Sequence, residues 1–137
     1  MHTTIETGSE LVELGRFFTI AGRRLAAGDT FPEMFSGAVD AVWHTLADDH
    51  AAHATFTTAH AGQPLTHVKG VGSGCIGWIA SYEEAYGPLP KIWFTSADGS
   101  VDTEALARYR ETGTVVAEWN CSPAPGDGDV VPMKSNR

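Results

Sequence analysis

The chain has 137 residues, 42% hydrophobic and 19% charged, which is material for one packed core and too apolar for a disordered chain. Its net charge of −8 repels phosphate backbones, so nucleic-acid binding is not expected. No run of about 18 apolar residues is present to span a bilayer, and the opening MHTTIETGSE has no basic region followed by an apolar stretch, so no membrane contact, no secretory leader and a cytoplasmic location are expected.

Residues 1–8 read as a loose lead-in. A helix is predicted from Ser9, with Glu10 in its first turn and Leu11, Leu14, Phe17 or Phe18, and Leu25 at helical spacing. Gly28 stops it, and Arg23–Arg24 is an isolated basic pair on a solvated face. Thr30-Phe-Pro-Glu33 fits a capping box for a second helix running to about Ala47. Its apolar stripe is Met34, Phe35, Val39, Val42, Trp43 and Leu46, and Ser36 is a second possible start. Asp48 or Asp49 caps a third helix over 50–61, ended by Gly62 and Pro64.

Leu65 to Val68 reads as a short strand, and Gly70, Gly72 and Gly74 as a flexible link. GVGSG is not a phosphate-binding loop, because no GK[ST] follows it. Residues 75–86 read as a helix stopped by Gly87-Pro-Leu-Pro90, and KIWFT (91–95) as a strand. Asp102 caps a short helix, TEALARYRE, ended by Gly113; TVVAEW (114–119) is a second strand able to pair with KIWFT. From Ser122 to Arg137 the chain is rich in Pro, Gly and Asp and reads as a disordered tail.

The predicted fold class is therefore α+β, with a helix-rich N-terminal two-thirds and a short antiparallel sheet near the C-terminus. Residues 1–121 form one globular domain, and 122–137 a tail. The predicted core is Leu14, Phe18, Phe35, Val39, Trp43, Leu46, Phe56, Trp78, Ile92, Phe94, Val116 and Trp119.

Asp40 and His44 stand at i and i+4, on one helix face. That spacing lets both reach one ion, or lets the carboxylate orient the imidazole. His67 follows the third helix, and two histidines with one carboxylate suit a divalent metal, zinc or iron. Three readings stay open at this point: a purely structural pair, a metal site, and a metal-free acid–base pair. His50, His53 and His60 on the third helix, and Glu83–Glu84 on the next, read as packing or solvated positions. Trp43, Trp78 and Trp93 are candidate ligand-binding aromatics, as well as core. Cys75 and Cys121, 46 residues apart, fit no zinc-ribbon or CxxC pattern and read as two reduced thiols.

Val39-Asp40-Ala-Val-Trp43-His44, followed by Phe56, Gly62 and His67-Val68, resembles the VDxxWH pattern of small bacterial proteins. It is also similar to part of the glycine-rich-domain proteins of plants. The match covers about residues 30–70. It departs from the pattern in having Thr66-His67 where paired histidines are common, and in lacking a Gly/Cys-rich tail. The resemblance implies no activity, but it singles out Asp40, Trp43, His44 and His67.

The leading functional expectation is a small soluble metal-binding or metal-dependent protein, with Asp40, His44 and His67 as ligands and a small molecule bound or acted on there. If it is an enzyme, Asp40 and His44 are its catalytic residues. The alternatives are a non-catalytic module binding a small molecule or a partner protein, and a metal-free isomerase, cyclase or hydrolase. The sequence fixes no oligomeric state.

Overall fold

The computed structural model describes residues 2–126, with side chains from residue 9 onward. Helix α1 spans His2–Ala26, so it begins before Ser9 rather than after a loose lead-in. Nothing in HTTIETG breaks a helix outright, and Gly8 costs only about 1 kcal/mol relative to alanine. One side of α1 is buried from Glu13 and Leu14 through Phe17, Phe18, Ile20 and Ala21.

Helix α2 spans Gly37–Ala47, and Ser36, not Thr30, is its N-cap, with its hydroxyl accepting from Val39 N–H. Thr30 is engaged elsewhere, because Arg24 donates to both its carbonyl and its hydroxyl oxygen. The segment between is extended, and Met34 N–H bonds to the carbonyl of Cys121 at 3.1 Å. Helix α3 spans His50–Ala61, with Asp49 as N-cap and a left-handed Gly62 ending it, as predicted.

Strand β1 runs Leu65–Cys75 and strand β2 runs Val116–Pro125, antiparallel, in a sheet of two strands. The glycines at 70, 72 and 74 are thus strand residues, not a flexible link. Gly72 is needed there, since a Cβ would stand 2.5 Å from the Trp119 ring. Ser122–Pro125 continue the ladder, a correction to the disordered tail expected from Ser122. The rest of that tail, 127–137, lies outside the described residues.

Helix α4 spans Ile79–Tyr86 and α5 spans Thr103–Thr112, the latter capped by Asp102 and ended by Gly113 as predicted. KIWFT is not a strand, because Lys91–Phe94 form a 3-10 helix after Pro90. Trp93 and Phe94 are both buried, whereas neighbours on a strand would point to opposite faces. β2 therefore pairs with β1 instead, and the α+β class stands with a different first strand.

The core gathers around Phe17, whose ring lies 5.9 Å from Trp43, 5.3 Å from Trp78 and 5.8 Å from Trp93. Most of the predicted core residues are buried or packed against it, but Val116 is 52% exposed. The carboxylate of Glu13 lies inside this cluster. It accepts from Tyr82 OH at 2.6 Å, Trp93 Nε1 at 2.8 Å and Arg16 Nη1 at 3.1 Å. Burial and the Glu13 hydrogen bond push the Tyr82 hydroxyl well above its ordinary value.

α1 packs closely on the end of α3 at Gly22, where a Cβ would meet the Ala61 carbonyl oxygen at 2.4 Å and its Cα at 2.8 Å. Both are backbone atoms and cannot rotate away. Alanine gains about 1 kcal/mol of helix propensity, while overpacking costs about 1–3 kcal/mol. Gly22→Ala is therefore expected to lower stability by about 1–2 kcal/mol. A thermal melt at or above the wild-type midpoint contradicts this.

Candidate metal centre

Asp40 lies in the first turn of α2, where a carboxylate complements the helix dipole, and His44 one turn later. His44 Nε2 is 3.1 Å from Asp40 Oδ2. β1 delivers His67 to the same carboxylate, with its Nε2 3.7 Å from Asp40 Oδ1. The three sequence-predicted metal ligands are thus brought together. Each offers one ligand atom, and these atoms lie within 4.8 Å of one another, a group that could hold a metal ion. The His44 and His67 rings are 4.5 Å apart.

His67 Nε2 is buried and has no hydrogen-bond partner among the described residues, since 3.7 Å is beyond hydrogen-bonding reach. Asp40 Oδ1 is better served, accepting from the thiol of Cys121 at 3.1 Å. Burial opposes ionisation of Asp40, but the approach of His67, the Cys121 thiol and the charge of His44 together hold its carboxyl below the usual range. Burial, then the hydrogen bond and charge of Asp40, push the Cys121 thiol up. That is a protonated donor rather than a free nucleophile. Cys75 is also a free thiol, and it is exposed.

Trp43 fixes the orientation of His67. Its ring meets the imidazole edge-on, centroids 4.3 Å apart at 87°. In turn Trp43 Nε1 donates to His53 Nε2 at 2.9 Å. His53, expected at a packing or solvated position, is the buried acceptor that anchors the indole. The acceptor role requires its Nε2 to be unprotonated.

Burial, followed by the charges of His67 and His50, holds His53 below the ordinary histidine value. The unfolded chain therefore takes up this proton at a higher pH than the native chain does. The resulting stability is complete above the unfolded value and is lost as pH falls toward the folded one. Wild type should lose more stability than His53→Gln on acidification from about pH 7.5 to about pH 5.5, a window spanning the reference histidine value. Urea melts at both pH values measure this, and equal losses contradict it.

Trp43, Trp78 and Trp93 are fully buried. Trp93 nevertheless floors a groove of about 630 Å³ bordered by Phe35, Phe94, Ser96, Ser100, Asp102 and Glu118. That groove does not include Asp40, His44 or His67. Tyr109 is a core residue; its hydroxyl donates to Glu83 and accepts from Leu89 N–H. Glu83 is thus an anchored acceptor rather than part of a solvated face, while Glu84 is exposed.

Sequence spacing allows Cys121 near His44 or His67 in space but cannot support it, because the second strand is read as ending at Trp119. Alternation carried two residues further would have put Cys121 on the buried face. Glu13 was missed although it stands at i and i+4 to Phe17 on α1. Among the described residues no helix is long and apolar enough to cross a membrane. Comparison with protein-family models, curated proteins and solved structures finds no match for this chain.

Proposed function

We propose that the chain is a metal-binding protein in which Asp40, His44 and His67 hold a divalent ion, zinc or iron, that a small molecule meets. One observation carries this reading: the buried, unpartnered Nε2 of His67 directed at the Asp40 carboxylate. A buried polar atom without a partner costs about 1–3 kcal/mol, and an ion would give it one. Bonds of about 2.1 Å allow two ligand atoms to stand at most about 4.2 Å apart. The present spread, within 4.8 Å, closes with a small movement. His44, whose side chain is 58% exposed, has room to make it. The likeness to the VDxxWH proteins selects the same residues and assigns no activity.

Three protein ligands leave room for a further donor. A bound divalent ion would polarise a substrate oxygen or lower the pKa of a water. Asp40 and His44 are then the residues that orient what binds beside it. The test is metal analysis of untagged protein after reconstitution with Zn(II) or, anaerobically, Fe(II). One ion per chain is expected in wild type, with affinity weaker by on the order of a hundredfold in His44→Ala. Stoichiometry far below one, or binding unchanged in His44→Ala, sinks the reading.

The direct 3.1 Å contact of His44 with Asp40 favours one other reading, a metal-free enzyme with His44 as base and Asp40 orienting it. An activity indifferent to chelator but lost in both Asp40→Asn and His44→Gln separates it from the first.

A further inference from the structure

We propose that Cys121 is a fourth ligand of this centre, its Sγ joining Asp40, His44 and His67 on a thiolate-accepting divalent ion such as zinc. The inference rests on the metal reading and goes beyond it by naming the ligand set and the kind of ion. A carboxylate, two imidazoles and a thiolate suit zinc better than magnesium or calcium, which prefer oxygen donors.

The first support is distance. A tetrahedral zinc with bonds of about 2.0–2.3 Å has ligand–ligand edges of about 3.3–3.7 Å. Cys121 Sγ is 3.1 Å from Asp40 Oδ1, which also faces His67 Nε2 at 3.7 Å, while His44 Nε2 stands 3.1 Å from the other oxygen, Oδ2. One carboxylate oxygen thus neighbours both Cys121 and His67 at close to tetrahedral-edge lengths, and the other neighbours His44.

Register is the second support. His67 pairs with Pro123 and Lys69 with Cys121. Directly opposed residues share a face, and so do residues two apart on one strand. Cys121 is therefore the diagonal neighbour of His67 on the face toward α2, within reach of a shared ion. Beyond this pair the register shifts between Lys69 and Gly72. An irregularity of this kind bends the strands and re-aims nearby side chains.

The third is burial. Cys121 is 2% exposed, and its backbone carbonyl is tied to Met34 N–H, so its Sγ is held rather than free to swing away. Binding breaks the S–H bond and forms a metal–sulfur bond, releasing the thiol proton to solvent.

Cobalt(II) titration of the reduced, full-length chain under anaerobic conditions tests this. The expected result is a near-ultraviolet sulfur-to-cobalt charge-transfer band together with visible four-coordinate bands. The chain has two cysteines, so retention of the band in Cys75→Ser, an exposed position, assigns it to Cys121. In Cys121→Ser the band should vanish while visible bands persist. Visible bands in wild type without the sulfur band overturn this inference and leave the three-ligand centre standing. A band lost in Cys75→Ser overturns it as well. No cobalt bound by wild type overturns both the centre and its fourth ligand. The wild-type and Cys75→Ser spectra decide the matter even if Cys121→Ser fails to fold.

Discussion

Glu13→Ala is expected to destabilise the protein by about 3–5 kcal/mol, the sum of two stranded buried donors and a cavity. Glu13 is 4% exposed and sits where α1, α4 and the 3-10 helix meet. Removing its carboxylate strands Tyr82 OH and Trp93 Nε1, both on fully buried residues, and unpairs Arg16. Each stranded neutral donor costs about 1–3 kcal/mol, and the cavity adds to that.

Glu13→Gln should cost less. Its amide oxygen still accepts from Tyr82 and Trp93, while its NH2 opposes Arg16, which also donates to Tyr82 OH at 3.2 Å. Urea melts of the two variants give the comparison. A Glu13→Ala loss below about 1 kcal/mol, within the range of ordinary surface substitutions, would show that the network contributes little to folding.

His67→Leu is expected to move metal binding and stability in opposite directions. With one ligand gone, affinity for the ion should fall by on the order of a hundredfold or more. In chelator, however, the variant should be at least as stable as wild type, and more stable by up to about 1 kcal/mol. The reason is that Nε2 of His67 is buried without a partner, and an apolar replacement removes that cost of about 1–3 kcal/mol. Lost edge contact with Trp43 offsets part of the gain. A metal-free variant less stable by more than about 1 kcal/mol would mean that the imidazole holds the fold. The sensible reading would then be a structural histidine.

The elements most legible in the sequence were those with explicit ends. α3 and α5 each carry an aspartate cap and a terminal glycine at the predicted places, and the cap geometry matches. KIWFT misled because its residues favour strands wherever they pack well. Its conformation is set instead by the need to bury Trp93 on Glu13 and Phe94 on Tyr109, rings 5.5 Å apart. The glycines of β1 misled in the other direction, since the close approach of Gly72 to Trp119 is visible only once β2 lies alongside. At the site, helical spacing brought Asp40 and His44 together without any knowledge of the fold. The approach of His67 and Cys121 depends on strand register across residues far apart in the chain, which no local pattern encodes.

That separation bears on the order of assembly. β1 and β2 are joined through α4, the 3-10 helix and α5, so their pairing must close a long loop before any contact rewards it. Non-local pairing of this kind forms slowly relative to helices. Asp40 and His44 share one helix, so their approach needs no long-range closure, whereas that of His67 and Cys121 does. An ion at this centre would bind the completed ribbon far better than the open chain. At about a hundred times its dissociation constant it would add about 2.7 kcal/mol to the native state. With Cys121 among its ligands, the same ion would tie β2 to α2 as well as to β1.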